Sequence, residues 1–416
     1  MRKTALLLAA GILVCIYPLS GSDRGFPDTR TEKEIQALFK KVRPAYVFVA
    51  GGSGAVISPD GLIITNSHVV RQDKKFDIRL GDGRSFKADL LGNDPQGDLA
   101  LLKIKNGKNL PYLPLADSEA VKLGEFCIAI GNPFGMGVVD QEPTLTFGVV
   151  SGLHVYNANY YDSIVTDAPI NPGNSGGPLI NWKGELIGVN GLMRPRWGLR
   201  SNTGLGFAIP SNQVKRWVPR LKMAKGKVVR HGRLFGLVYN TDEDSETERV
   251  LIKDVREGSD AADAGFKPGD MLVSFDNKPI WSVVRFNSIL GTYPAGTEVA
   301  VKVKRSGSVK TLKFTLKEMR AGRFGFEVKT RRLRRNDRFV TVKSVKKGSN
   351  AYKAGMKKGD KIIEVQGRPM SGNIVLQLRA LVAWMRRTPP QMDVTFKVSR
   401  KKGKKNEEIE ISYKTE

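Results

Sequence analysis

The sequence predicts a mainly β chain, a double β-barrel domain followed by two smaller α+β modules, and three observations predict it. Short apolar runs rich in β-branched residues, bounded by glycine and small polar residues, fill the first half, as in residues 61–70 and 98–103. Within them His68, Asp98 and Ser175 occur in that order. From Gly258 onward the chain repeats itself at an offset of 90 residues. At 416 residues there is room for two or three units, each able to bury its own core. The composition is globular, with 40% hydrophobic and 26% charged residues.

The most informative stretch is Asn171-Pro-Gly-Asn-Ser-Gly-Gly-Pro178. A nucleophilic serine needs a sharp turn that lifts its hydroxyl clear of the backbone, and small flanking residues permit one. It also needs two N–H groups pointing the same way toward a developing oxyanion, here those of Gly173 and Ser175. A plain glycine-rich turn is the alternative. A serine hydroxyl is inert at neutral pH without a base, and the base needs an orienting carboxylate. There are three histidines, His68, His154 and His231. His68 ends the apolar run Gly61-Leu-Ile-Ile-Thr-Asn-Ser-His, where a strand and short turn hold an imidazole rigidly. His154 and His231 read as ordinary surface or strand-end histidines. Asp98 opens the buried run Asp-Leu-Ala-Leu-Leu-Lys103, whereas Asp94, before Pro95, reads as a cap on a local turn. The order His68–Asp98–Ser175 on an all-β pattern favours a chymotrypsin-like double β-barrel.

Six blocks then stand in order: Gly52-Ser-Gly-Ala-Val-Ile-Ser, Thr65-Asn-Ser-His-Val-Val, Asp94-Pro-Gln-Gly-Asp-Leu-Ala-Leu-Leu-Lys, Gly131-Asn-Pro-Phe-Gly, Asp167-Ala-Pro-Ile-Asn-Pro-Gly-Asn-Ser-Gly-Gly-Pro and Gly206-Phe-Ala-Ile-Pro. They resemble the blocks of the HtrA/Deg serine proteases and span about residues 35–215. The resemblance implies His68 as base, Asp98 as orienter and Ser175 as nucleophile. It implies an oxyanion hole from Gly173 and Ser175, with Asn174 in the same loop. It further implies unfolded or misfolded protein substrates and a homotrimer, whose contacts are expected in residues 25–50 with Phe39 as the visible hint. The turn near residues 50–54 is short, so the long regulatory loop of some bacterial members is missing, and with it the basis for a large cage-like assembly. No metal or organic cofactor is implied. An inactive barrel acting as a chaperone or peptide-binding scaffold, and a surface protease acting on external host proteins, are the alternatives.

In the chymotrypsin-like fold that the resemblance implies, the residue six before the nucleophile lies at the base of the specificity pocket. Here it is Pro169, not a carboxylate, so the resemblance implies cutting after small or branched aliphatic residues and not after Lys or Arg. Arg194, Arg196 and Arg200 lie in a later loop that either reaches the cleft or is simply solvated. Residues 1–22 read as a secretory signal: Arg2 and Lys3, an apolar stretch of about fifteen residues to Leu19, then a small-residue site after which cleavage is expected. The product is expected to be exported, in the periplasm or cell envelope. Cys15 sits inside the signal, leaving Cys127 as the one mature thiol, a buried small hydrophobe in Phe126-Cys-Ile-Ala-Ile130.

The domain plan is residues 23–222 for the protease-like unit, with a basic connector of a short helix and linker around 216–227. Modules at 230–319 and 320–416 follow. The repeat pairs residues 258–280 with 348–370, each copy reading as a short helix, a glycine turn, a strand and a tight hairpin. This resembles the PDZ domains of the same proteases. Such domains add a peptide strand to a sheet edge and receive its terminal carboxylate on a loop of N–H groups. The matching residues are Gly232, Arg233, Leu234, Phe235, Gly236 and Leu237 in the first copy, and Arg323, Phe324, Gly325 and Phe326 in the second. A plain core role for these apolar residues is the competing reading.

Charge separates the modules. Residues 320–416 hold 26 basic against 9 acidic residues, so +17 of the chain's net +27 lies there. An anionic envelope or membrane surface is the expected partner, and nucleic acid is not, since no recognition motif appears. Retention on acidic lipid vesicles at low salt, released by added salt, is the expected result; retention that ignores salt, or none at low salt, overturns it.

Overall fold

The computed structural model describes residues 29–71, 73–135, 142–157, 160–191, 204–239, 250–318, 324–334, 337–370, 377–378, 381–382, 385, 393–403 and 405–415. The expected signal segment, Arg194, Arg196, Arg200 and Arg323 lie outside them. After helix α1 (Thr29–Val42), strands β1 (Tyr46–Val49), β2 (Gly52–Val56), β3 (Leu62–Thr65), β4 (Lys75–Leu80), β5 (Ser85–Asp94) and β6 (Leu99–Ile104) form a first barrel. Its order is β5-β4-β1-β2-β3-β6, closed by a β5–β6 ladder. Strands β7 (Phe126–Gly131), β8 (Thr144–Asn157), β9 (Tyr160–Thr166), β10 (Pro178–Ile180), β11 (Leu186–Asn190) and β12 (Gly206–Pro210) close a second barrel in the order β10-β11-β12-β9-β8-β7. Burial follows the expected β pattern: Leu99, Ala100, Leu101 and Leu102 of β6 have no exposed surface, because closure leaves both faces of that strand covered. Phe39 is half-buried and packs onto this core. Burial pushes the Cys127 thiol up to about 11, partly offset by a hydrogen bond with Thr166 and aided by the Asp167 charge, so it is not a nucleophile at neutral pH.

The short helix expected at the start of the connector begins earlier and runs longer than its 216–227 reading. It is a 13-residue helix, α3 (Ser211–Met223), that belongs to the protease unit. Val214, Trp217 and Leu221 fall at helical spacing on one face and are wholly buried against the barrels. The polar face, with Arg216 and Arg220, turns toward the first repeat. Trp217 Nε1 donates to the Thr292 carbonyl at 2.9 Å, Arg216 to Thr292 Oγ1 at 2.9 Å, and Arg220 to the Gly296 carbonyl at 2.6 Å. Strand β13 (Lys227–Val228) then adds in parallel to β5.

His231 is a second correction: it is buried, not a surface residue. Its ring lies between Asp94, whose carboxylate is 2.8 Å from Nε2, and the Gly291 carbonyl, 2.7 Å from Nδ1. Asp94 also caps its own turn, accepting from the N–H groups of Gln96 and Gly97, as expected. One carboxylate thus holds both the local turn and the chain leading into the next module.

The repeat is visible residue by residue. Ser259 and Ser349 cap the short helices Asp260–Asp263 and Asn350–Lys353, accepting from Ala262 and Tyr352 at 3.2 Å. The strands Met271–Phe275 and Lys361–Val365 turn back on Lys278–Pro279 and Arg368–Pro369. Arg305 grips Asp270 and the Gly265 carbonyl, and Arg400 grips Asp360 and the Gly355 carbonyl in the same way. Each module has a separate apolar core, centred on Phe275 and Phe286 or on Phe396.

Candidate active site

The three predicted residues come from three elements at the junction of the barrels. His68 lies on α2 (Ser67–Val70), a single turn that begins where β3 ends. Asp98 sits between β5 and β6 with φ of 59°, a left-handed conformation that aspartate tolerates better than most residues and that turns its carboxylate back under α2. The carboxylate takes the His68 ring and main chain together. His68 Nδ1 is 2.8 Å from Oδ2 and 3.0 Å from Oδ1, and the His68 N–H donates to Oδ1 at 3.0 Å. Asn66 Nδ2 holds the Asp98 carbonyl at 3.0 Å. With Nδ1–H given to the carboxylate, the His68 tautomer leaves Nε2 as a free acceptor on the exposed side of the ring.

Ser175 stands on the loop before β10. Its carbonyl accepts from the Ser53 N–H at 3.0 Å, which ties the loop of the second barrel to β2 of the first. Its hydroxyl rests 3.5 Å from the Gly191 carbonyl rather than on His68. The loop's shape depends on two glycines. Gly173 has φ of 106°, and a Cβ there would meet the Asn132 carbonyl oxygen at 1.9 Å. Gly176 has φ of 85°, and a Cβ there would meet the Ser53 oxygen at 2.2 Å.

Backbone partners set which N–H groups are available. The Pro172 carbonyl accepts from the Phe134 N–H at 2.7 Å, so on that planar trans peptide the Gly173 N–H points the other way. The Gly173 carbonyl is held by Ser53 Oγ at 2.6 Å. Among the described residues, neither the Gly173 nor the Ser175 N–H has an acceptor. Asn174 differs: its N–H donates to the Asn171 carbonyl at 2.9 Å, and its buried side chain lies against Gly131. It shapes the loop from beneath and offers no main-chain donor.

Three contributors were given no role from the sequence, although Ser53 stands in the first of the six blocks. Tyr160 donates its hydroxyl to Asp98 Oδ2 at 2.8 Å, Ser53 holds the nucleophile loop, and Gly191 receives the Ser175 hydroxyl. Their positions follow from barrel closure, which brings β2, β9 and the end of β11 to one place; no local spacing announces it. Pro169 is exposed, with its carbonyl held by Thr146 Oγ1 at 2.9 Å.

In the first repeat, Gly232 and Arg233 pair with Lys317 and Glu318 in a two-stranded ladder, and Arg233 reaches Asp260 at 3.1 Å. The Phe235 N–H donates to the Asp260 carboxylate at 3.3 Å, and Arg256 covers the Phe235 ring. Gly236 passes so close to Ser259 that a Cβ would overlap its hydroxyl, as Gly325 does at Ser349. Leu234 and Leu237 are half-buried on the module core. Phe324 and Phe326 are buried against Phe396, so in the second repeat the expected pocket-lining rings are core residues.

Residues 52–189 match a trypsin-like peptidase domain, and residues 227–316 and 313–384 each match a PDZ domain. The chain is 38% identical over 358 residues to the periplasmic serine endoprotease DegP of Salmonella typhimurium, covering 80% of this chain and 72% of that protein. It is 39% identical over 337 residues to DegP of Escherichia coli K12, covering 76% and 69%. A solved structure of the HtrA-type protease AlgW with a tripeptide matches with a TM-score of 0.53 and 32% identity, over 68% of this chain and 96% of that one. The architecture, the matched domains and these relatives agree: the chain is a serine endopeptidase and belongs to the HtrA/Deg family.

Proposed function

We propose that the chain hydrolyses unfolded or misfolded proteins in the periplasm through Ser175, His68 and Asp98. The observation that carries this reading is the His68–Asp98 pair, at 2.8 and 3.0 Å, beside a serine loop with two unpaired N–H groups. In this reading the Ser175 hydroxyl leaves Gly191 and gives its proton to His68 Nε2 as the oxygen attacks the scissile carbonyl. The Gly173 and Ser175 N–H groups receive the oxyanion, and His68 protonates the leaving amine. A water deprotonated by His68 then breaks the Ser175 ester, and the proton returns to the serine oxygen. Asp98 keeps the imidazole in the productive tautomer and offsets its charge. The periplasmic setting rests on the relatives and on the expected signal segment.

The first PDZ module binds peptide ends in this reading, on its 232–237 loop. A labelled peptide with a free carboxyl terminus tests it: binding lost on C-terminal amidation supports the role, and indifference to amidation overturns it. A homotrimer is supported by three half-exposed to exposed rings on the second barrel, Phe126, Phe147 and Trp182, whose centroids lie 5.1–6.3 Å apart. Sedimentation equilibrium reads it directly, a one-chain mass at micromolar protein being the adverse result.

The activity itself is tested with the full mature chain and its Ser175→Ala variant. Each is incubated with unfolded casein and then with a serine-directed fluorophosphonate. Fragments and label that disappear together in the variant support the reading. Casein cleavage that survives in the variant overturns it, and so does label that the variant retains. If the wild-type chain neither cuts nor labels, the scaffold alternative takes its place.

A further inference from the structure

We propose that Tyr160 is a positioning residue of the catalytic triad and that Arg285, in the first PDZ module, holds it in place through Asp162. The proposal rests on the triad reading above and adds two residues that no sequence motif marked.

Tyr160 opens β9 and is buried, with its ring in the core of the barrels. Its hydroxyl donates to Asp98 Oδ2 at 2.8 Å, the same oxygen that lies 2.8 Å from His68 Nδ1. Two donors on one oxygen fix the carboxylate plane, and the plane fixes the imidazole. The tip of the same phenol also lies against Gly191, so close that a Cβ at Gly191 would stand 2.5 Å from Tyr160 Oη. Gly191 is the residue whose carbonyl holds the resting Ser175 hydroxyl. One rigid side chain therefore touches the acid directly and the resting place of the nucleophile. A tyrosine suits this task because ring packing sets its direction while one hydroxyl provides the contact.

What sets β9 itself is found two residues along. Asp162 is buried with φ of 56°, and its N–H donates to Ser288 Oγ of the first PDZ module at 2.9 Å. Its carboxylate accepts from Arg285 of the same module, from Lys278 at 3.4 Å and from His154 Nδ1 at 2.9 Å. Burial alone would raise the Asp162 carboxyl, but the His154 hydrogen bond and the Lys278 and Arg285 charges outweigh it and hold the group well below the usual carboxylate range. Arg285 is itself buried and stacks on the Trp281 ring. This is a fixed joint between a strand end and the helix Val283–Leu290, not a loose surface pair. The route from module to triad is then short: Arg285 to Asp162, along two residues of β9 to Tyr160, and across one hydrogen bond to Asp98.

The experiment uses the full mature chain, a short chromogenic peptide substrate and the fluorophosphonate labelling rate. Tyr160→Phe keeps the ring and removes only the hydroxyl. It is expected to lower kcat and the labelling rate about tenfold or more, with KM within twofold. Arg285→Met is expected to lower kcat severalfold, with Arg285→Lys restoring most of it. Combined with Tyr160→Phe, Arg285→Met should add little, because both act on one contact. A Tyr160→Phe chain with wild-type kcat overturns the proposal, and so does a fully multiplicative loss in the double variant. Should Tyr160→Phe not fold, the Arg285→Met and Arg285→Lys pair decides, equal losses in both, or none in either, counting against it. A wild-type chain that takes no label at all defeats the triad reading instead, so the two failures are distinguishable.

Discussion

Alanine at Ser175 or at His68 is expected to lower kcat by about a millionfold, and the two together by no more than either alone. The nucleophile and its base act in one proton transfer, so removing either forfeits the whole advantage. Asparagine at Asp98 is the more informative change, with an expected loss of about ten-thousandfold. Asparagine tolerates the left-handed backbone of that position, φ of 59°. Its amide oxygen, placed where Oδ1 stands, can still accept from the His68 N–H while the Tyr160 hydroxyl turns to accept from the amide. The fold should therefore persist, as read by circular dichroism and an unaltered melting temperature. What changes is the partner of His68 Nδ1. An amide NH₂ at the Oδ2 position, facing that nitrogen at 2.8 Å, demands an acceptor there, which moves the imidazole proton to Nε2, where it opposes Ser175. Stopped-flow or steady-state assay on a peptide ester checks the order of losses. A folded Asp98→Asn chain within tenfold of wild-type kcat would mean that His68 is oriented by something other than this carboxylate.

Those three residues were legible in the sequence because each stands where a buried strand meets a turn made of small residues, a pattern that local composition records. The two barrels were legible for a similar reason, since closure leaves runs such as Leu99 to Leu102 without a polar face. The repeat was clearer still: Ser259 with Ser349, Gly265 with Gly355 and Asp270 with Asp360 keep one spacing. Their partners do not share it. Arg305 and Arg400, which complete the two identical grips, are 95 residues apart, so that match emerges only when the sheets are seen side by side.

Contacts across the boundary between protease unit and first PDZ module were not legible. His231 looked like one residue of a basic stretch from Lys225 to Arg233, yet it is buried on Asp94. Arg285 and Asp162 are 123 positions apart, and neither has a neighbour that hints at the other. The connector read as no more than a short helix and linker from Arg216 because its charges dominate its composition. The three buried apolar positions of α3, Val214, Trp217 and Leu221, needed helical phase to be noticed. The sequence pattern thus reveals residues whose roles are local and conceals those whose roles arise from docking. The second module shows the reverse error: Phe324 and Phe326 sit beside a glycine turn as a ligand-binding loop would, but their rings complete the core around Phe396.

Gly173→Ala is expected to lower kcat by about a hundredfold to a thousandfold while leaving the protein folded. The N–H of Gly173 is available only because the Pro172 carbonyl is turned to Phe134 and the Gly173 carbonyl to Ser53. An alanine Cβ would stand 1.9 Å from the Asn132 carbonyl oxygen, at a φ of 106° that L side chains rarely adopt. The chain can relieve that overlap only by rotating the 172–173 peptide or by withdrawing the loop, and either removes one of the two oxyanion donors. Ser175, His68 and Asp98 remain chemically intact, so the loss measures the geometry of the loop that carries both the donors and the nucleophile. Gly124→Ala is the matched control. Its φ of 80° imposes comparable backbone strain, but nothing lies within 4 Å of the new Cβ and the site is remote from the nucleophile loop. It should cost some stability and leave kcat unchanged. The comparison is made by single-turnover acylation with a peptide ester, which isolates the step in which the oxyanion forms. Equal acylation rates in the two glycine variants would locate the oxyanion donors elsewhere. A Gly173-specific loss would tie the turn, through its unpaired N–H, to the chemistry it was read to serve.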